Sequence, residues 1–219
     1  MRSIPKLDER LRKVTEFFPA CDYGADIGAD HGRLSCDLLA SGKVARMLVT
    51  DISSLSLDKA RALLELHGMD KRAEFRVGDG LNSLDGPVNA IAICGMGGEV
   101  ISEILLNGRD RLCGAELILC PQTDTEILRA ALTGIGYKIA DECAVTAAGR
   151  RYVVIKAVPG DVHYDEKQLF LGPVMMIKRD EDTMDYYRWR LQVEKCVKSE
   201  QENKRVIWLT EVIGSVESK

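Results

Sequence analysis

Tyr23-Gly24-Ala25-Asp26-Ile27-Gly28-Ala29-Asp30-His31-Gly32-Arg33 constrains this chain more than any other stretch. A short apolar run ends in an acid, Asp26, and a glycine, Gly28, and a second glycine, Gly32, follows four residues later. That pattern is a buried parallel strand turning directly into a helix, with the turn open to a ligand. Lacking Cβ atoms, Gly28 and Gly32 let the backbone bend sharply and approach what binds above it. The next helix begins near Arg33 and carries Leu34, Leu38 and Leu39 on its buried side.

Two cofactor classes use such a turn. A dinucleotide site wants G-x-G-x-x-G, where the middle glycine makes room for a pyrophosphate. Here a carboxylate, Asp30, stands at that glycine's place and would repel a pyrophosphate. The spacing Asp26, Gly28, Gly32 suits S-adenosylmethionine instead, whose amino-acid end is zwitterionic and whose sulfonium is cationic.

Later segments repeat the strand-then-acid pattern. Arg46–Asp51 is a second buried strand, and Asp51 at its end is either the acceptor for two ribose hydroxyls or the N-cap of a helix over 55–67. Ala73–Val77 leads to Gly78-Asp79-Gly80-Leu81, where the acid is either an acceptor for an adenine amine or an ordinary loop residue. Val88–Cys94 is the most apolar strand and runs into Gly95-Met96-Gly97-Gly98, a floor of nearly bare backbone. A helix over 99–107 follows, then the strand Glu116–Cys120, Pro121-Gln122, and a helix over 125–133 capped by Thr123 or Asp124. Tyr137–Val145 and Arg151–Val158 read as a hairpin closing the sheet. The expected fold is α/β, a doubly wound sheet with one antiparallel strand, and ligands at the carboxyl ends of its parallel strands.

A helix over 5–18 precedes this sheet, with Leu7, Leu11, Val14 and Phe17 on one side and Arg10, Arg12 and Lys13 among its cations. Pro159-Gly160 divides the chain into 1–159, the ligand-binding domain, and 160–219, a helical arm. In that arm a Gly172-Pro173 break precedes one long charged helix from Asp180 to about Ile213, with an imperfect apolar seam interrupted by Glu194, Lys198 and Gln201.

Hydrophobic residues at 46% and charged residues at 29% exclude a disordered chain, and no apolar run approaches the roughly 20 residues of a membrane span. Seven cysteines without a C-x-x-C pair, and only three histidines, speak against a structural metal and for reduced thiols in a cytoplasmic protein. A net charge of −4 argues against wholesale nucleic-acid binding but not against a local basic face.

Leu7-Asp8-Glu9-Arg10-Leu11, Ala25–His31, Gly78–Leu81, Cys94–Gly98, Pro121-Gln122, and Leu171-Gly172-Pro173 ahead of a Tyr187/Trp189 helix stand in order. Together they resemble the bacterial tRNA (adenine-22)-N1-methyltransferase family over nearly the whole chain. The resemblance implies a Rossmann-like class I methyltransferase domain, S-adenosylmethionine as cofactor, tRNA as partner, and a coiled-coil-like C-terminal extension that helps hold the tRNA. No metal and a monomer or weak dimer are also expected. The expected cofactor residues are Asp26, Gly28, Asp30, Gly32, Asp51, Ile52, Gly78, Asp79, Gly80, Cys94, Gly95, Met96 and Gly97. Asp30 and His31 are the expected catalytic pair, with Asp30 either stabilising the methylated base or only holding the cofactor's ammonium. Arg10, Arg12, Lys13, Arg33, Met96, Gly98, Gln122, Arg150 and Arg151 are the expected tRNA contacts. A small-molecule methyltransferase and a non-catalytic RNA-binding module on the same fold are the competing expectations.

Overall fold

The computed structural model describes residues 4–196 and 200–217. Lys198, named above in the helical seam, lies outside them, as do the side chains of 200–203 and 216–217. Seven strands form one sheet: β1 Cys21–Ile27, β2 Val44–Asp51, β3 Ala73–Val77, β4 Ala90–Cys94, β5 Glu116–Cys120, β6 Tyr137–Ala147 and β7 Arg150–Pro159. Their spatial order is β3-β2-β1-β4-β5-β7-β6. β1 to β5 are parallel, and β7 runs antiparallel to both β5 and β6. The carboxyl ends of β1 to β5 therefore share one edge, and the β6–β7 turn lies along it.

Alternation along the strands divides the core. Ala90 and Ala92 of β4 face α1 (Glu9–Phe17), α2 (Arg33–Ala40) and α3 (Ser54–Leu66), where Val14, Phe18, Leu38, Leu39 and Leu64 are buried. Ile91 and Ile93 face α4 (Gly98–Asn107) and α5 (Thr125–Gly134), and pack with Ile101, Leu105, Leu128 and Leu132. The small β4 residues let the first helical layer sit close; the bulky ones fill the thicker second layer.

Three expectations need correction. The first helix starts at Glu9, not at residue 5, because the Asp8 carboxylate caps it by accepting from Leu11 N at 2.8 Å. At α5, Asp124 occupies the cap position in a left-handed conformation (φ 54°) and makes no capping bond; its carboxylate accepts instead from Thr123 Oγ1 at 2.5 Å. The long C-terminal helix is two helices, α8 (Glu181–Glu194) and α9 (Glu200–Glu217), preceded by the short α6 (Glu166–Leu171) and α7 (Met175–Lys178).

Folding back lets α9 bury Leu209, Val212 and Ile213 in the same cluster that holds Met184 and Tyr187 of α8 and the α4–α5 face of the sheet. The polar interruptions of the seam become its joints. Glu194 is buried and accepts from Arg190 Nε at 2.8 Å, while Glu126 of α5 accepts from both Arg190 and Arg205 at 3.3 Å. Both guanidiniums also lie over the Phe170 ring, 5.1 and 4.9 Å from its centre.

Deeper still, Arg129 of α5 and Glu142 of β6 form an ion pair excluded from water, with Arg129 Nε and Nη2 both 2.9 Å from Glu142 Oε2. Arg129 Nη1 donates to the Leu169 carbonyl at 2.8 Å, and Glu142 Oε1 accepts from Val174 N and Met175 N at 2.9 and 3.2 Å. The pair thus holds the α6–α7 junction onto the sheet. Gly172 sits against it so closely that a Cβ there would come within 2.5 Å of Glu142 Oε1. Breaking such a pair leaves a bare buried charge, so Arg129→Met is expected to lower unfolding stability by about 3–5 kcal/mol in urea titrations. Adding Glu142→Leu is expected to recover only part, because the Val174 and Met175 amides lose their acceptor.

Candidate active site

The turn after β1 hangs from the end of β2. Gly28 N and Ala29 N donate to the Thr50 carbonyl at 2.9 and 2.8 Å, and Asp30 N donates to Asp51 Oδ2 at 3.0 Å. Gly28 adopts φ +73°, and Asp30 a left-handed φ of 49° that costs a residue with a side chain some strain. Asp51 Oδ1 accepts from Ser53 N at 2.9 Å, while Ser53 caps α3 through Ser56 N. Asp51 is therefore not the helix cap, and each of its oxygens keeps a lone pair free.

Two hollows flank this turn. The first, about 260 Å3, is lined by Gly28, Asp51, Ile52 and the Gly78-Asp79-Gly80 turn. The second, about 310 Å3, gathers Arg10, Asp26, Asp30, His31, Arg33, Cys94, Gly95 and Gln122. Gly28 and Met96 line both, and the Met96 methyl fills the place a Gly28 side chain would take. Gln122 stiffens the glycine floor: its Nε2 donates to the Gly95 carbonyl and its backbone N–H to the Met96 carbonyl, each at 2.8 Å.

Asp26 is the most unusual group of the second hollow. It is 3% exposed, accepts from Ser35 Oγ at 2.7 Å, and has no cationic partner among the described residues. Burial pushes its pKa from 3.8 up to about 6. Asp30 and His31 stand at the rim, the Asp30 carboxylate 2.8 Å from His31 Nδ1.

Several expected residues stand outside both hollows. Gly32 is the left-handed start of α2, and a Cβ there would meet Ala60 Cβ at 2.8 Å, so it serves helix packing. Gly97 borders Thr123, and Gly98 is buried against the Thr123–Asp124 backbone, which makes it a packing residue too. Arg12 is exposed and paired with Glu9, and Lys13 lies 2.6 Å from Glu16. Arg150 and Arg151 sit at the β6–β7 turn, the Arg151 guanidinium 5.4 Å from the Trp189 ring centre. Sequence reasoning passed over Asn82 and the α4 residues Val100, Glu103, Ile104 and Asn107, which complete the first hollow. Their helical spacing after Met96, one face of the next helix, was the available signal.

Residues 7–155 match the family model for a methyltransferase domain. A tRNA (adenine(22)-N(1))-methyltransferase of Bacillus subtilis is 31% identical over 195 residues, 86% of this chain and 82% of the relative. The chain belongs to the tRNA (adenine(22)-N(1))-methyltransferase family. The crystal structure of the B. subtilis M1A22 tRNA methyltransferase TrmK superposes with a TM-score of 0.83 at 28% identity, over 95% of this chain and 99% of that one. The Streptococcus pneumoniae protein Sp1610 in complex with S-adenosyl-L-methionine has the same fold, with a TM-score of 0.89 at 23% identity, over 95% and 100%.

The residues present fit that cofactor. A buried carboxylate without a counter-ion suits an ammonium, and acceptors at Asp51 and Asp79 suit ribose hydroxyls and an adenine amine. Among the described residues no three metal-ligating side chains come together, and no helix is long and apolar enough to cross a membrane.

Asp26 also has a measurable signature. Its folded pKa of about 6 lies above the usual 3.8, so the folded state holds the proton more tightly than the unfolded chain does. Its contribution to stability is full below pH 4 and is lost as pH rises through 6, a difference of about 3 kcal/mol for a shift of about two units. Asp26→Asn is therefore expected to raise stability at pH 8 and leave it nearly unchanged at pH 4, read by urea unfolding at both values.

Proposed function

We propose that this protein methylates N1 of adenosine 22 of tRNA with S-adenosylmethionine as donor. Family membership supplies the reaction class, and the rim pair Asp30–His31 beside the Gln122-braced glycine floor is the observation that carries the acceptor side. S-adenosylmethionine, when bound, supplies an electrophilic methyl group on a sulfonium. Asp51 accepts from ribose hydroxyls in the first hollow, Ile52 and the Gly78–Gly80 turn enclose the adenine with Asp79 accepting from its amine, and Asp26 opposes the ammonium in the second.

N1 of adenine carries an in-plane lone pair and is neutral at pH 7, so no residue has to deprotonate it. The chain's task is to align the base and to answer the positive charge that methylation leaves on the ring. Asp30 accepts from the N6 amine and stabilises that charge, and His31 orients the Asp30 carboxylate through Nδ1. A base taken out of a tRNA stem needs a surface to stack on, which Met96 above Gly95 offers. Exposed Arg33 and Arg150, with half-buried Arg151 at the β6–β7 turn, contact phosphates, positioning the RNA without reading its sequence. The proposal extends to a monomer or weak dimer working in the cytoplasm, where tRNA is modified.

Radiolabelled S-adenosylmethionine with unmodified tRNA is expected to label the RNA, and an A→G change at position 22 to abolish the label. Equal labelling of both would overturn the site, and no labelling of either would point to a small-molecule acceptor. Asp30→Asn is expected to lower kcat by about 10²-fold while S-adenosylhomocysteine affinity, read by calorimetry, stays within about twofold. A parallel loss of that affinity would make Asp30 a cofactor ligand only.

A further inference from the structure

Below the rim that Asp30, His31 and Arg33 form, the second hollow holds a carboxylate, Asp26, and a guanidinium, Arg10, that do not pair with each other. Asp26 at its floor has only Ser35 as a polar side-chain partner. Arg10 reaches in from α1, and its one ion pair among the described residues is a loose contact, Nη2 to Asp8 Oδ2 at 3.7 Å. Asp8 is itself committed to capping α1. The Arg10 side chain is only 18% exposed and its guanidinium lies 5.3 Å from the Tyr152 ring centre. It is thus held in place and largely shielded from water, and besides Asp8 its polar neighbour is the buried, protonated Cys120 thiol, a poor acceptor.

A separated carboxylate and guanidinium in one hollow are the complement of an α-amino acid zwitterion. We propose that Arg10 is a donor ligand and not an RNA contact: its guanidinium takes the carboxylate of the cofactor's amino-acid end while Asp26 takes the ammonium. This rests on the S-adenosylmethionine reading above. Shielding argues for it over a phosphate role. A tRNA backbone passes over the rim, where Arg33 is exposed, whereas Arg10 lies beneath, where a planar fork matched to a carboxylate acts in a lower dielectric. The consequence is that α1, outside the sheet's alternating pattern, forms one wall of the cofactor site.

Removing the carboxylate from the ligand and the guanidinium from the protein tests the pairing as a cycle. The probes are S-adenosylhomocysteine and its decarboxylated analogue S-adenosyl-3-thiopropylamine, which keeps the adenosine and the ammonium; affinities come from calorimetry. The wild type is expected to prefer S-adenosylhomocysteine by about tenfold or more, the worth of a charge-assisted bond. In Arg10→Gln that preference is expected to collapse to within about twofold, with affinity for the decarboxylated analogue unchanged; Arg10→Lys, which keeps the charge, is expected to retain part of it. A preference that survives in Arg10→Gln overturns the proposal. So does an equal loss for both probes, which would mean packing on Tyr152, or a loss confined to tRNA binding, which would give Arg10 to a phosphate. A wild type that binds neither probe overturns the cofactor reading itself.

Discussion

Three consecutive amides, those of Gly28, Ala29 and Asp30, are satisfied by the end of one neighbouring strand: two at the Thr50 carbonyl and one at the Asp51 carboxylate. The site depends on this attachment. A turn at the edge of a sheet has no ladder to join, and unpaired amides would pull it toward water. Hung on β2, it holds Gly28 between the two hollows and sets Asp30 at the rim of the second, in a strained left-handed conformation. The same carboxylate that fixes the turn lines the first hollow, so Asp51 joins the fold to that hollow in one group. Its two oxygens each accept one amide and keep a lone pair, which is why one acid can serve both.

The second polar anchor lies far from this edge. The Arg129–Glu142 pair sits between the α5 side of the sheet and the α6–α7 junction, and the joints at Glu126 and Glu194 extend it toward α8 and α9. Buried ion pairs contribute little net stability against an apolar alternative, but they are demanding about geometry. Arg129 and Glu142 each also bond backbone groups of the segment 169–175, so the C-terminal helices have one register in which both charges are satisfied. That fixes where Trp189 stands relative to the β6–β7 turn and so places Arg151.

Much of this was legible in the sequence because parallel strands are apolar throughout and end abruptly. β3 and β5 were read to the residue, and Asp26, Asp51, Asp79 and Gly95 stand at the sheet edge where the strand ends put them. What escaped is chemistry that depends on partners distant in sequence. Nothing near Gly98 announces the Thr123–Asp124 backbone that requires it to lack a side chain, and Gly32 likewise answers to Ala60 on another helix. The polar breaks in the C-terminal stripe read as flaws in one long helix. They are the charges that join two helices, and Glu194 could be recognised as buried only once Arg205 of α9 had been brought to it. The face of α4 that completes the first hollow was visible as a spacing, but its sharing of Met96 with the glycine floor was not.

Asp26 explains why such a site is built at the expense of the fold. A carboxylate that is 3% exposed and held only by the hydroxyl and backbone amide of Ser35 has no opposing charge, and burial raises its pKa in spite of those bonds. The two Ser35 donors leave the charge uncompensated; a neighbouring lysine would remove the cost and with it the reason for a cation to enter. In the cofactor site proposed above, the acid gains its missing partner when an ammonium arrives, so relief of the folded state's strain would add to the binding energy of the ligand. The same logic applies in mirror image to a guanidinium kept under the rim with only a loose acid beside it. Under that proposal, opposite charges that the fold keeps apart are left for a ligand that carries both.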